Sequence, residues 1–445
     1  MRLMEVKDVV RVAVIGCGTV GGATAQLLIR DQAIIQQRSG IQVQVTALVD
    51  RAFDHAQSLD LPEELFTSDI DGVLDNPEID IIIELVGGLE FARTLILKAL
   101  DRGKHVVTAN KALLAHHGKE LFGRARSQGL SIGFEASCGG GIPVIRAITD
   151  GLIANEIDAL YGILNGTCNY ILTEMNRRGT TYSEALEEAQ QSGLAEADPT
   201  LDVEGIDTAH KIAIMSALAF GTDVDFDAIP VEGIHKLDAR DVAMGEELGY
   251  VIKLLAVAQR TAQGVLIRVH PAFISQEHPL AWVSGPFNGL SIYGHTVGHT
   301  LYYGRGAGGE ATASAVASDV VAIAQGIIPT IFHTTRFWPD LNTRGPIQLP
   351  PGHAEGQFYL RLTVADQPGV LAQIGSILAE NSISVASLRQ DATALASGRL
   401  PLIIITHSCR EEDLRSAVAT IDTLPVTGDA TTVLPIIDEH PERIG

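Results

Sequence analysis

VRVAVIG (residues 10–16) runs without a break into CGTVG (17–21). A short, continuous apolar run ended by glycine reads as a strand buried on both faces. A helix follows from about Gly21 to Arg30, so Gly16-Cys17-Gly18-Thr19-Val20-Gly21 is a G-x-G-x-x-G set between strand and helix. There the first glycine permits a tight turn, the second lets a pyrophosphate approach the backbone, and the third allows close helix packing, with the helix N-terminus facing the phosphates. Outward from this point, VQVTALVD (43–50), IDIIIELVG (79–87) and KHVVTAN (104–110) are further apolar strands, with a helix over 90–101. Such alternation predicts an α/β domain over residues 1–145, a doubly wound parallel sheet of Rossmann type. Asp50 closes the second strand, where a carboxylate accepts hydrogen bonds from the ribose hydroxyls of NAD. Arg51 beside it would instead meet the 2′-phosphate of NADP. A carboxylate repels that phosphate, so the reading leans to NAD.

The texture changes over 146–334. Helical patterns at Tyr182–Ser192, Gly205–Phe220 and Met244–Gln259 mix with strand-like VLIRVHPAFI (265–274), which predicts a second α/β domain. The apolar stretch after Ala311 reads as a helix returning to the first domain. Residues 335–356 hold four prolines and three glycines, the composition of a linker. Beyond it, residues 357–437 follow the order β-α-β-β-α-β, a ferredoxin-like unit.

Bulk properties exclude several classes. A chain of 445 residues that is 46% hydrophobic needs more than one core. The net charge is −22 and no basic stripe is present, which argues against nucleic acid. No apolar run is long enough to span a bilayer, and the N-terminus lacks the apolar core of a signal peptide. Cys17, Cys138, Cys168 and Cys409 form no CxxC pair, so free thiols in a cytoplasmic, reducing compartment are expected.

Two lysines stand out. Lys111 follows a parallel strand in TANK, at the end where ligands gather, and a lysine at a helix start opposes the helix dipole. Asp207 and Lys211 are spaced i,i+4. On a surface such a pair is worth only about 0.2–0.5 kcal/mol. From Thr208 to Thr222, however, His210 is the only other ionisable side chain, and the helix is otherwise apolar. A buried lysine needs a partner, and burial lowers its pKa towards the range useful for acid–base work.

GCGTVG (16–21), VVTANKALLA (106–115), FEASCGGGIP (134–143), LNGTCNYIL (164–172) and AEADPTLDVEGIDTAHK (195–211) together resemble the homoserine dehydrogenases, from about residue 10 to 330. The resemblance implies reversible reduction of L-aspartate 4-semialdehyde to L-homoserine with NAD or NADP, in threonine, methionine and isoleucine biosynthesis. It makes Lys211 the proton donor and acceptor at the substrate oxygen, held by Asp207, and sets Lys111 beside the nicotinamide. Glu196 becomes a ligand of the substrate ammonium, supported by Asp202 and Asp207. Asn165 and Thr167 line the substrate pocket, and Gly308, in GRGAGG (304–309), supplies backbone near the cofactor; both segments also read as tight turns. The glycine-rich turn resembles a structural sodium site, with Glu135 and the main-chain oxygens of Cys138, Gly140 and Ile142 as ligands. A glycine-rich turn without an ion is the competing reading. Three rival functions remain: another amino- or hydroxy-acid dehydrogenase on the same scaffold, an acylating dehydrogenase using the Cys138 thiol, and a non-catalytic amino-acid sensor.

Residues 357–437 resemble an ACT domain, by Asp366-Gln367-Pro368-Gly369-Val370-Leu371 and Ile383-Ser384. Feedback by threonine is what this resemblance implies, and a homodimer or homotetramer is expected because open sheets of this kind pair at their edges.

Overall fold

The computed structural model describes residues 8–335, 345–390 and 399–438. The first sheet is wholly parallel: β1 (Val9–Ile15), β2 (Gln42–Val49), β3 (Phe66–Thr67), β4 (Ile81–Glu84), β5 (His105–Thr108) and β6 (Ile132–Gly133), in the order β3-β2-β1-β4-β5-β6. Val12 to Ile15 and Ile81 to Ile83 are buried, as strands covered on both faces must be. The strand order reverses between β1 and β4. The crevice beyond their carboxyl ends is where an open α/β sheet binds ligands.

The second sheet begins with β7 (Ile157–Ile163), β8 (Tyr250–Arg260), β9 (Val265–Ser275), β10 (Phe287–Gly294) and β11 (Gly298–Arg305). The C-terminal unit adds β12 (Glu355–Val364), the Val370–Glu380 helix, β13 (Val385–Gln390), β14 (Leu400–Thr406), β15 (Cys409–Arg410), the Glu411–Ile421 helix and β16 (Thr432–Ile437). Its strands do not form a separate layer. β16 pairs with β9 in parallel through Ile436 and Phe273, giving the order β11-β10-β7-β8-β9-β16-β12-β14-β13, with β15 on β12. Tyr359 and Leu434 share one apolar core with Phe273 and Ile252.

Two sequence readings need correction. Residues 244–259, expected as one helix, divide into a helix ending at Glu247 and strand β8. Gly249, at φ +83°, breaks the helix, and the apolar run after it pairs with β7 and β9. A short apolar run has no periodicity to separate buried strand from buried helix. Part of the expected linker is also fixed. Val265 N donates to Ile347 O at 2.8 Å and Leu349 N to Val265 O at 2.9 Å, so this stretch lies along β9. Residues 336–344 of that linker lie outside the described residues.

The Gly309–Ala324 helix returns to the first domain, where Val316, Val320 and Ile323 pack with Val14 and Leu28. Among the described residues no single helix is long and apolar enough to cross a membrane. A pair bent by 78°, Gly309–Ala324 and Ile327–Thr334, passes on length and composition, but the first of these helices is core of the first domain.

Candidate active site

The glycine loop has the geometry its sequence requires. Gly16 has φ +99°, and a Cβ there would lie 2.6 Å from the Leu85 carbonyl. A Cβ on Gly21 would lie 1.7 Å from Gly16 O. Beside Gly18 the space is open. The Thr19–Arg30 helix starts with no side-chain cap, so the amides around Thr19 and Val20 are free to meet an anion. Gly308, at φ +119°, caps the Gly309–Ala324 helix, and Gly309 abuts Thr19 and Ala23. Asp50 turns back on the loop: Oδ2 accepts from Cys17 N and Oδ1 from Arg51 N, both at 2.6 Å. A cradle closed to Cβ atoms on two sides and open at Gly18 fits a dinucleotide pyrophosphate.

A cavity of about 400 Å³ opens beside this loop, lined in part by Val20, Glu84, Lys111, Glu196, Asp202 and Asp207. Lys111 is the first residue of the Lys111–Ser127 helix, whose cap is Asn110: its Oδ1 accepts from Leu113 N at 3.1 Å. Such a cap is worth about 1 kcal/mol and pins the strand-to-helix turn. From the opposite side the Ile206–Phe220 helix brings Asp207 and Lys211, both buried as its apolar sequence predicts.

Asp207 joins the two. Its Oδ1 accepts from Lys111 Nζ at 2.8 Å, and Oδ2 accepts from Lys211 Nζ at 2.6 Å and Asn165 Nδ2 at 3.0 Å. Lys211 Nζ also donates to Leu164 O at 2.6 Å. Burial alone would raise the pKa of Asp207, but the charges of Lys211 and Lys111 hold it well below the carboxylate range. For Lys111, burial pulls the pKa down, and the Asp207 charge and hydrogen bond more than offset it, leaving it above the usual lysine value. Lys111 is the accessible member, with its side chain 41% exposed against 8% for Lys211. Lys211 stands behind Asp207, not at the cavity wall.

Asn165 and Thr167 also stand back from the cavity, contrary to the expectation that they line it. Asn165 Nδ2 donates to Asp202 Oδ1 at 2.7 Å, and Thr167 Oγ1 to Asp202 Oδ2 at 3.0 Å. Both therefore orient carboxylates. Asn165 Oδ1 meanwhile accepts from Cys168 N, capping the Gly166–Arg178 helix. Glu196 and Asp202 do reach the cavity, making one wall acidic.

Sequence reading passed over Glu84. This buried side chain ends β4 at the switch point and accepts from Thr108 Oγ1 at 2.6 Å and Val86 N at 3.0 Å. Burial raises its pKa, against those hydrogen bonds. The signal was an acid closing the otherwise apolar strand IIIE (81–84).

In the glycine-rich turn, Gly139 and Gly140 have φ +73° and +57°. The carboxylate of Glu135 is engaged elsewhere, accepting from Ile145 N at 2.8 Å and Arg146 N at 3.0 Å. Among the described residues no three His, Cys, Asp or Glu side chains gather as a metal site. The main-chain oxygens of such a turn are donors that suit a hard ion. Cys138 is fully buried, and burial pushes its thiol up to about 12. A neutral thiol is a poor nucleophile, which removes the acylating rival.

At the C-terminal unit, Gly369, at φ +96°, caps the Val370–Glu380 helix without a side-chain bond. Its entrance keeps free amides, as the Pro-Gly pair predicts.

Comparison with known proteins agrees with this architecture. The family description "Homoserine dehydrogenase, NAD binding domain" matches residues 16–135, "Homoserine dehydrogenase" matches 143–321, and "ACT domain" matches 358–426. The homoserine dehydrogenase of Pseudomonas aeruginosa is 45% identical over 419 residues, covering 93% of this chain and 96% of that protein. The crystal structure of a homoserine dehydrogenase from Thiobacillus denitrificans superposes with a TM-score of 0.90 at 42% identity, covering 97% of this chain and 98% of the other. A hyperthermophilic archaeal homoserine dehydrogenase in complex with NADPH is 26% identical, with a TM-score of 0.59 over 71% of this chain and 97% of its own.

Proposed function

Because this chain belongs to the homoserine dehydrogenase family, and is therefore an NAD(P)-dependent oxidoreductase of amino-acid biosynthesis, we propose that Lys211, Lys111 and Asp207 carry proton transfer in the interconversion of L-aspartate 4-semialdehyde and L-homoserine. One observation carries this reading: two ammonium groups share the single carboxylate of Asp207 at the wall of the cavity beside the glycine loop. A bound nicotinamide supplies hydride to the carbonyl carbon or takes it back. Lys211 donates the proton to the growing alkoxide as Asp207 shifts, with Lys111 polarising the same oxygen from the cavity side. Glu196 pairs the substrate ammonium, which cannot leave water unpaired, with Asp202 and Asp207 completing an acidic wall. Asn165 and Thr167 hold those carboxylates in place.

The cofactor fits along Gly16, Gly18, Thr19, Val20 and Gly21, with Gly308 closing the far side. Asp50 favours NAD, while the NADPH-bound archaeal relative marks NADP as the alternative. Glu135 and the main-chain oxygens of Cys138, Gly140 and Ile142 suit a structural sodium ion. Threonine acts as a feedback effector through the Asp366–Gly369 turn. β13 is exposed along its whole length at the sheet edge, an unpaired edge that supports a homodimer or homotetramer. Four unpaired thiols suit the cytoplasm.

The test is a spectrophotometric assay of the purified chain with homoserine, NAD or NADP, with and without threonine, in sodium or choline buffers. Expected are turnover with a preference for NAD and inhibition by threonine. Because oxidation of the homoserine hydroxyl releases a proton, that direction should quicken as pH rises, whereas reduction should not. No turnover with either nicotinamide overturns the substrate assignment. A flat threonine titration overturns only the effector.

A further inference from the structure

The crevice at the switch point has two lips, the turn after β4 (residues 85–88) and the turn after β5 (residues 109–110), and one buried side chain joins them. Glu84 and Thr108 end β4 and β5, and they are register partners across that pair. Both are fully buried. Glu84 Oε2 accepts from Thr108 Oγ1 at 2.6 Å, while Oε1 accepts from Val86 N at 3.0 Å and Gly87 N at 3.3 Å. Thr108 Oγ1 in turn accepts from Asn110 N at 3.0 Å, and Asn110 Nδ2 donates to Gly88 O at 2.7 Å. Glu84, Thr108, Asn110 and Gly88 thus close a ring that laces the two turns together.

The ring meets the candidate machinery on both sides. Leu85 N donates to Ile15 O at 2.8 Å. A Cβ on Gly16 would lie 2.6 Å from the Leu85 carbonyl and 2.8 Å from Val86 N, so the β4 turn is seated on the glycine loop. Gly87 and Gly88, at φ +72° and +74°, supply the left-handed backbone with which that turn folds back over Glu84. On the other side Asn110 caps the helix whose first residue is Lys111, and Lys111 N donates to Ala109 O at 3.0 Å. Leu85, Gly87, Ala109 and Lys111 line the same cavity. Glu84 makes no ion pair among the described residues, and a buried carboxylate without a cation is costly unless its oxygens are satisfied. Here both oxygens are committed to the two turns.

We propose that Glu84 is a positioning residue for the reaction: by locking the two turns together it fixes Lys111 relative to the glycine loop, and so sets how the Lys111 ammonium meets the substrate oxygen. The inference rests on the reading of Lys111 as a group at that oxygen. It separates three substitutions by what each one cuts. Alanine at 84 leaves Val86 N, Gly87 N and the Thr108 hydroxyl without acceptors. Glutamine keeps the frame, because its Oε1 can take both amides while its Nε2 donates to the free lone pair of Thr108 Oγ1. Valine at 108 cuts the bond between the lips and strips Asn110 N of its acceptor, yet leaves both amides of the β4 turn on Glu84. A misplacement on the order of 1 Å at a reacting group is worth about 10²-fold in rate.

The test combines steady-state kinetics of homoserine oxidation with calorimetric titration of NAD and NADP into the full chain without substrate. Glu84→Ala and Thr108→Val should lower kcat by about 10–10²-fold with KM for homoserine little moved, and Glu84→Gln should recover most of that loss. In Thr108→Val the cofactor dissociation constant should stay within about twofold of the parent, because the β4 turn remains seated on Gly16. Added to Lys111→Ala, Thr108→Val should cost about twofold or less further, since it acts through the lysine already removed. Where Glu84→Ala fails to fold, Thr108→Val and Glu84→Gln decide. The proposal is overturned if Thr108→Val keeps the parent kcat, if its loss is as large without Lys111 as with it, or if Glu84→Gln falls as far as Thr108→Val. A Lys111→Ala variant as active as the parent would instead remove the reading of Lys111 on which the proposal stands.

Discussion

Asp207 and Asp241 are built alike and do different work. Each sits in the first turn of a helix, each is buried, and each takes hydrogen bonds from a residue about a hundred positions away. Asp241 Oδ1 accepts from Arg361 Nε at 2.6 Å and Tyr359 OH at 3.0 Å, while Oδ2 accepts from Arg361 Nη2 at 2.9 Å. That fork pins β12 of the C-terminal unit onto the Ala239–Glu247 helix. Nothing there can yield a proton near neutral pH: the guanidinium never does, and burial and the Asp241 charge push the Tyr359 phenol well above its usual value. At Asp207 the partners are lysines, compact charges that exchange protons, and the cluster borders a cavity. On the proposed function, a buried carboxylate is thus a clamp or a catalytic hub according to what its partners can release and whether a substrate can reach them.

The largest effect should come from breaking the hub. Lys211→Ala, Lys111→Ala and Asp207→Ala should each lower kcat/KM by about 10²–10⁴, the usual share of positioned acid–base catalysis. The double variant Lys211→Ala/Asp207→Ala should lose far less than the sum, because the groups act as one unit. Full activity in Lys211→Ala would leave Lys111 as the sole proton donor. Next comes the clamp. Asp241→Ala strands a buried guanidinium and should cost on the order of 3–5 kcal/mol in urea unfolding, while kcat per folded molecule stays near the parent value. A kcat that falls with stability intact would mean that the clamp also shapes the catalytic cavity.

The two clusters were unequally legible in the sequence. Asp207 and Lys211 are four residues apart on an apolar helix, so local periodicity alone marks them as a buried pair. Lys111 was marked by its place after a parallel strand. The Asp241–Arg361 pair spans 120 positions and has no local signal. It follows from β16 joining β9, which no reading of the C-terminal unit as separate could anticipate. Glu84 is an intermediate case: its strand was read correctly, but the acid within it was not taken as part of the site. The glycine loop was the clearest feature because each glycine answers a steric demand of its own turn. Asn165 and Thr167 were placed on the right segment, yet sequence cannot say whether a donor faces substrate or orients the carboxylate that does.

The misread segment 250–259 supplies a third buried charge that sharpens the contrast. Lys253 on β8 has no carboxylate partner among the described residues; its Nζ donates to Val283 O at 2.6 Å and Asn169 Oδ1 at 3.0 Å. Burial lowers its pKa from 10.5 to about 8. Folding therefore binds fewer protons than the unfolded chain between those values, so stability attributable to Lys253 rises with pH across that window. Below about pH 8 the buried charge carries its full penalty, and above 10.5 none remains. The difference in unfolding free energy between the parent and Lys253→Met, measured against pH, should climb in the parent's favour by on the order of 3 kcal/mol over this window and be flat below it. A curve of the opposite slope, favouring the charged form, would mean that the two carbonyl acceptors compensate the ammonium as fully as Asp207 compensates its lysines. In that case a carboxylate is not what distinguishes a tolerable buried lysine in this fold.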